Sequence, residues 1–460
     1  MLDLVSTAQV LGARRVGSNA EFIRVTTDSR NIRTGDLFVG IRGERFDGQQ
    51  FAAHALAAGA VAAIVSDVPR DAGAGARLLV VSNTRLALGQ LAAFWRARFA
   101  LPLVAITGSN GKTTVKEMLA AILRQSAGEG GVLASIGNFN NDVGMPLTLL
   151  QLRAQHRFAV VEMGMNHLGE IAYLSRLAKP TAALINNAGT AHIGELGSTE
   201  AIARAKGEIF EGLDLAGTAI INSDDAFADF WRGLAKPRRA VDFGLDRKAA
   251  VSARYELAEA GSLVTIMTPE SQLVATLNVP GLHNVKNALA AAAAAYVLGI
   301  EPKAIAPGIA AYRGLNGRLQ RKRLSSGATL IDDTYNANPE SMKAAIAVLA
   351  AHSGRKVFVM GDMGELGETA AAMHAAIGVV AKRAGVERLF ALGVLSVEAV
   401  REFGDGGAHF ATIEDLVAAV TGVLGRDTTL LIKGSRFMRM ERVVEALGAV
   451  NGEQTAKGGA

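Results

Sequence analysis

A chain of 460 residues, half of them hydrophobic, is too long for one compact core, and at about 150 residues per domain it divides into about three. It contains no cysteine, which excludes disulfides and thiolate metal sites and leaves oxygen or histidine as ligands for any metal. The net charge of +5 is spread among mixed acids and bases and aromatics make up only 5%, so the basic, aromatic-studded stripe of a nucleic-acid reader is missing and no nucleic-acid partner is expected.

The first thirty residues carry Asp3, Arg14, Arg15 and Glu21 without an unbroken apolar core, so no secretory signal is expected. The longest apolar run, Ala288 to Ile300, is well short of the ~20 residues that cross a bilayer. A soluble, cytoplasmic chain without membrane insertion is expected. Residues 1–85 read as a small α/β unit. Gly35 to Gly40 is a turn entering a strand, Gln50 to Ala60 a helix, and Val61 to Ser66 a strand. A helix from Leu86 to Phe99 then leads to Pro102 and opens a second unit, 86–316.

The run from Leu103 to Thr114 carries the most chemistry. An apolar strand, Leu103 to Thr107, enters the turn Gly108-Ser109-Asn110-Gly111, and Lys112, Thr113 and Thr114 open a helix. Glycines let backbone N–H groups converge on an anion, the helix start aims its positive end there, and a hydroxyl can ligate Mg²⁺. Only two residues separate Gly108 from Gly111, against four in the general phosphate loop. A nucleoside triphosphate is the expected ligand.

Phe158 to Val161 and Thr181 to Ile185 are continuous apolar runs, as in strands of a parallel sheet covered on both faces. Ligands gather at the carboxyl ends of such strands. Three polar features fall there: Lys112 with Thr113, Glu162, and the segment Asn186 to His192. One hydroxyl, one carboxylate and triphosphate oxygens suffice for Mg²⁺, and Glu162 is the carboxylate expected to serve. Lys206 has Ile202 and Phe210 as its i−4 and i+4 neighbours on a predicted helix, which sets its amine beside an apolar stripe. Desolvation there favours a neutral amine able to take up CO₂ as a carbamate, an anionic ligand for a second metal; a lysine snorkelling from the core edge fits the spacing equally well. Residues 239–279 alternate in the manner of added antiparallel strands, and a helix begins near His283.

After Gly317 a third alternation begins, with strands at Ala328 to Ile331, Lys356 to Met360, Arg388 to Ala391, Ala408 to Ala411 and Thr429 to Ile432. Residues 317–460 thus read as a doubly wound domain with a frayed end from Asn451 to Ala460. The basic run Arg318 to Arg323 is either a solvated junction or an anion contact. Gly361 to Gly367 lacks dinucleotide-fingerprint spacing and reads as a flexible acidic active-site loop.

The run Thr107 to Thr114, shortened spacing included, resembles the ATP signature of the Mur ligases. Glu162, His192, Lys206, the helix start His283 to Asn287, and Arg318 with Asp333 match that family as well. The resemblance implies an α/β fold of three domains: a small uridine-nucleotide domain, a central ATPase domain with a mostly parallel sheet and added antiparallel strands, and a C-terminal Rossmann-like domain. Thr26 to Arg30 and Gly40 to Gly48 resemble the first domain of the third and fourth ligases. The first two ligases carry a G-x-G-x-x-G fold that is absent here. No Asp-Asn-Pro-Arg of a diaminopimelate-adding third ligase occurs, whereas Ile331 to Met342 and Gly137 to Pro146 resemble the fourth.

That resemblance implies an ATP- and Mg²⁺-dependent ligase joining D-alanyl-D-alanine to UDP-N-acetylmuramoyl-tripeptide through an acyl phosphate, working as a monomer. By the same resemblance Gly108 to Thr114, Asn287, Arg318 and Asp333 hold ATP, and Thr113 with Glu162 holds the first metal. His192 and Lys206 serve a second metal. Ser29, Asn140 and Asn141 meet the UDP-sugar peptide, and Tyr335, Asn336 and Asn338 lie near D-alanyl-D-alanine. A related ligase adding a single amino acid, or a nucleotide-driven switch, are the alternatives. Because Arg318 and Asp333 belong to the last unit, it must swing onto the middle one.

Overall fold

The computed structural model describes residues 1–43, 47–191, 193–448 and 450–451. Among the described residues three large sheets follow one another along the chain, with a two-stranded ribbon of Leu2–Asp3 and Glu21–Phe22 beside the first. The first places Arg14–Val16, Leu78–Val80, Ala62–Val65, Asp36–Val39 and Arg24–Thr26 side by side, parallel except at the Arg14–Val16 edge. Asp36–Val39 and Ala62–Val65 are buried along their whole lengths, as their apolar residues require, and the one charge among them, Asp36, is paired with Arg24. The helix expected from Gln50 is shorter: a 3-10 turn at Gly48–Phe51 leads into Ala52–Ala57, and the chain turns out at Gly59 with φ +111°.

The helix Thr84–Arg96 joins this unit to the next, packing on the helices Leu4–Leu11, Gly144–Leu149 and Glu170–Ala178. Trp95 and Arg96 fix it by donating to the carbonyls of Leu152 at 3.1 Å and Ala178 at 3.0 Å.

The middle sheet has nine strands among the described residues. Its centre is β1 (Leu103–Thr107), parallel to β2 (Phe158–Glu162) on one side and β3 (Ala182–Ile185) on the other. The expected antiparallel addition is three strands, Val251–Ala258, Gly261–Met267 and Gln272–Leu277. Gln272–Leu277 alternates exposed and buried residues, as a strand with one wet face must. Helix α1 (Lys112–Ala127) leaves β1 and packs against α2 (Leu282–Val297) and the helix Pro302–Ala311. Gly308 permits that approach, since a Cβ there would lie 2.3 Å from Ile122 Cα. The alanines of α2 from 290 to 295 are all buried, which reconciles its long apolar run with a core helix rather than a membrane span. No helix among the described residues is long and apolar enough to cross a membrane.

The C-terminal sheet has seven strands among the described residues, with β4 (Thr329–Asp333) and β5 (Thr428–Lys433) paired in parallel at its centre. The basic run is no solvated junction: Gln320–Arg323 is a strand antiparallel to β4, and Lys322 lies 2.7 Å from Asp332. The segment Gly361 to Gly367, expected as an active-site loop, brings Gly364 and Glu365 to the cleft between the middle and last units and is tied down at its start. The buried Asp362 carboxylate accepts backbone N–H groups from Val394 at 2.8 Å and Ser396 at 2.7 Å, holding the start of the helix Ser396–Phe403.

The last unit rests directly on the middle one. At the N-terminus of α3 (Pro339–Ala350), Asn338 donates to Asn110 Oδ1 at 2.8 Å, and Thr190 Oγ1 donates to Glu340 at 2.9 Å. Gly194 N–H donates to the Glu365 carbonyl at 2.9 Å. These contacts place the last unit against the middle one in this arrangement.

Candidate active site

The turn after β1 has the shape an anion cradle needs. Gly108 and Gly111 have φ of +155° and +82°, and Gly111 caps α1. Asn187 and Asn186 brace the turn from behind: Asn110 N–H donates to Asn187 Oδ1 at 2.8 Å, and Asn186 Nδ2 donates to the Asn110 carbonyl at 2.9 Å. Asn186 Nδ2 also donates to Asn287 Oδ1 at 3.1 Å, so Asn287 supports the loop from α2. Ser109 Oγ accepts the Gly189 N–H at 2.9 Å. The first N–H groups of α1 have no intrahelical acceptor and aim the positive end of the helix into the cleft. Lys112 Nζ arches back to donate to the Gly108 carbonyl at 2.7 Å. Burial lowers the pKa of that lysine, against the pull of Glu162.

Glu162, at the end of β2, is buried and shared. Its Oε2 accepts from Thr113 Oγ1 at 2.8 Å and its Oε1 from Asn140 Nδ2 at 2.7 Å. From the last unit Arg318 donates to the same Thr113 hydroxyl at 3.2 Å, with its guanidinium carbon 4.2 Å from the Tyr335 ring centroid. Asp333 ends β4. Its Oδ2 accepts from Lys433 at 2.5 Å and its Oδ1 from the Leu319 N–H at 3.1 Å. Burial raises the Asp333 pKa and Lys433 pulls it back. Asn336 Oδ1 accepts the Arg436 N–H at 3.2 Å, and Asn338 caps α3 in a capping box with Ser341.

These side chains line one cleft of about 950 Å³ between the middle and last units. It gathers Ser109 to Thr114, Asn140, Glu162, Asn287, Arg318, Asp333, Tyr335, Asn336 and Asn338. Three expected site residues lie elsewhere. Ser29 sits in a 3-10 turn of the first unit, and Asn141 is exposed and caps the helix Gly144–Leu149 through Gly144 N–H at 2.8 Å. Lys206 is 2% exposed on the helix Thr199–Gly207, so it does not snorkel. Burial, reinforced by Lys112, drives its pKa well below the ordinary value, opposed by Asp225. His192 lies outside the described residues.

Sequence reasoning missed other members of the lining. Lys433 and Ser435 follow β5 at its carboxyl end, where the same strand-end rule would have found them. His283 starts α2, and burial pushes its pKa down to about 4, so it is neutral near pH 7. Glu340 lies in the run Ile331 to Met342 but receives no role there; only the docking of α3 brings it to Thr190.

Three family profiles cover the chain: the Mur ligase family catalytic domain at residues 21–96, the Mur ligase middle domain at 106–295, and the Mur ligase glutamate ligase domain at 317–436. An Escherichia coli (strain K12) protein named UDP-N-acetylmuramoyl-tripeptide–D-alanyl-D-alanine ligase is 41% identical over 97% of this chain and 98% of its own. A crystal structure of MurF from Acinetobacter baumannii superposes with a TM-score of 0.90 at 37% identity, covering 96% of this chain and 98% of that one. MurF from Thermotoga maritima in complex with ADP superposes with a TM-score of 0.80 at 27% identity, covering 92% and 96%. The chain belongs to the Mur ligase family, in the branch of the UDP-N-acetylmuramoyl-tripeptide–D-alanyl-D-alanine ligases.

Proposed function

We propose that the cleft holds ATP on the Gly108–Thr114 turn and delivers its γ-phosphate to the carboxylate of UDP-N-acetylmuramoyl-tripeptide, with D-alanyl-D-alanine as the amine. The observation that carries this reading is the convergence of Thr113, Glu162 and Arg318 beneath the turn, from two units of the chain. The enzyme is an ATP-dependent carboxylate–amine ligase of peptidoglycan precursor synthesis. It works as a monomer in the cytoplasm.

The tripeptide carboxylate attacks the γ-phosphorus, the bond to the ADP oxygen breaks, and an acyl phosphate results. The dipeptide amine then adds to the acyl carbon, and the tetrahedral intermediate expels phosphate. Catalysis of the first step is mostly electrostatics and positioning, the office of Lys112 and Arg318. The Thr113 hydroxyl and Glu162 carboxylate are an all-oxygen pair that leaves most of a shell to phosphate and water, the donor set Mg²⁺ favours. Mg²⁺ held there would neutralise phosphate charge. Asn287 and Asp333 support the nucleotide, and Tyr335, Asn336 and Asn338 flank the amine. Ser29, Asn140 and Asn141 meet the UDP-sugar peptide as the units close. Lys206, with His192, would serve a second metal, and its neutral amine is the form that adds CO₂.

The test supplies ATP, Mg²⁺ and UDP-N-acetylmuramoyl-tripeptide and compares D-alanyl-D-alanine with single amino acids, reading product mass and phosphate. Phosphate release should require both acid and amine. Release without either marks a nucleotide switch, and preference for a single amino acid marks a different ligase.

A further inference from the structure

Lys116 takes no part in the cleft, yet its side chain is completely buried on α1, one turn beyond Lys112. Its amine donates to the Ser135 carbonyl at 2.5 Å and the Gly137 carbonyl at 3.4 Å, and lies 2.7 Å from Glu117 Oε1. Burying an amine is costly unless its donors are met, and here they are met by the root of one loop and by the neighbouring Glu117 of the same helix.

That loop does two things to Glu162. Ser135 Oγ accepts the Glu162 backbone N–H at 3.3 Å, and Asn140 Nδ2 donates to Glu162 Oε1 at 2.7 Å. It has little packing of its own, since Ile136 and Phe139 are 64% and 43% exposed and Gly137 has nothing near its Cβ position. Polar bonds at its root must therefore set its position. Helix α1 thus approaches Glu162 twice: Thr113 grips Oε2 directly, and Lys116 ties down the root of the loop whose far end, Asn140, meets Oε1 and accepts the Gly164 N–H at 2.8 Å through its carbonyl.

We propose that Lys116 is a positioning residue for the ligase reaction, fixing the 135–140 loop so that Asn140 holds the Glu162 carboxylate toward Thr113. This rests on the assignment of Thr113 and Glu162 as metal ligands. Groups that orient a ligand typically control metal affinity by about 10- to 100-fold.

The experiment uses the full chain with ADP and follows Mn²⁺ binding by electron paramagnetic resonance. Lys116→Met should weaken Mn²⁺ binding by about tenfold, while ADP affinity in chelator is unchanged. The Mg²⁺ concentration for half-maximal ligase activity should rise with it, and the KM for D-alanyl-D-alanine should not. Asn140→Ala should do the same, and the double variant should be no worse than Asn140→Ala alone, because one residue acts through the other. Unchanged Mn²⁺ binding in Lys116→Met, or additive losses in the double variant, overturns the proposal. If Lys116→Met does not fold, Lys116→Leu, which likewise removes every donor, is read by the same criteria. Glu162→Gln separates the two failures. Metal binding insensitive to Glu162→Gln defeats the metal assignment and the proposal together; sensitivity to Glu162→Gln but not to Lys116→Met defeats the proposal alone.

Discussion

Arg318 reaches Thr113, 205 residues earlier in the chain, at 3.2 Å, while stacking 4.2 Å from the Tyr335 ring centroid. The last unit therefore delivers a cation to the hydroxyl that touches Glu162, and closure is a chemical event as well as a mechanical one. Arg318→Ala should lower kcat by about 100- to 1,000-fold, the usual loss of one preorganised donor at a transition state. ADP affinity should fall much less, because the glycine turn belongs to the middle unit. Arg318→Lys should recover only part, since lysine keeps the charge but loses the fork and the stacking. Steady-state kinetics beside calorimetric ADP titration checks this; wild-type kcat in Arg318→Ala would remove the residue from the site.

Gly111 is irreplaceable on two independent counts. Its φ of +82° strains any side chain, and a Cβ would lie 2.2 Å from Asn287 Oδ1 and 2.5 Å from Asn186 Nδ2. Both obstacles are buried amides that brace the loop, so neither can swing aside without releasing it. Gly111→Ala should weaken ADP binding by at least tenfold and cost about 1–3 kcal/mol of stability. Gly233→Ala, with nothing near its Cβ position and inside the helix Ala228–Ala235, serves as control and should be neutral or stabilising.

Lys206 should destabilise the fold it serves. In the unfolded chain its amine holds a proton up to about pH 10.5, whereas burial in the folded chain releases that proton at much lower pH. Between the two values the unfolded state binds more protons, so this group makes stability rise with pH across that window. Lys206→Met should raise Tm at the lower end of the window, flatten the slope of Tm against pH, and abolish turnover. Incubation with ¹³C-bicarbonate should give a carbamate carbonyl signal in the native chain and none in Lys206→Met. A variant with lower Tm and an unchanged slope would mean the amine is charged and paired.

What could be read from the sequence was what lies within a few residues of itself. The strand, turn and helix start from Leu103 to Thr114 are local chemistry, and the strand-end rule leads directly to Glu162. Depth was illegible: helical spacing put Lys206 beside apolar residues but could not say whether it escaped to water, and it is sealed in. Register was illegible too. Arg318 to Arg323 looks like a basic patch until β4 pairs beside it, whereupon Arg318 faces Thr113, Lys322 meets Asp332 and Arg321 turns to Glu259. Partners were illegible as well: Lys433 stands at a strand end, where the strand-end rule points, and Glu340 lies in the run Ile331 to Met342, but that Lys433 meets Asp333 and Glu340 meets Thr190 emerges only once β5 pairs with β4 and α3 docks on the middle unit.

Glu259 sits at the tip of the antiparallel addition to the middle sheet, between Val251–Ala258 and Gly261–Met267, and touches the last unit. Arg321 lies 3.0 Å from its Oε1, and His352 Nε2, otherwise unpartnered, lies 3.5 Å away. His352 is held in place by Nδ1, 2.9 Å from the Val348 carbonyl. The hairpin thus bridges the middle and last units away from the cleft, as a latch between them would. Glu259 is half exposed, so each contact is worth at most about 1 kcal/mol and is screened by salt. Glu259→Ala should therefore raise the KM for D-alanyl-D-alanine by no more than about fivefold, leaving the fold intact. The native KM should climb as salt is added while the variant's stays level, and resonance energy transfer between labels on the middle and last units should report a larger open fraction in the variant. Equal KM values and equal salt response in the two proteins would mean that the hairpin only rests against its neighbour.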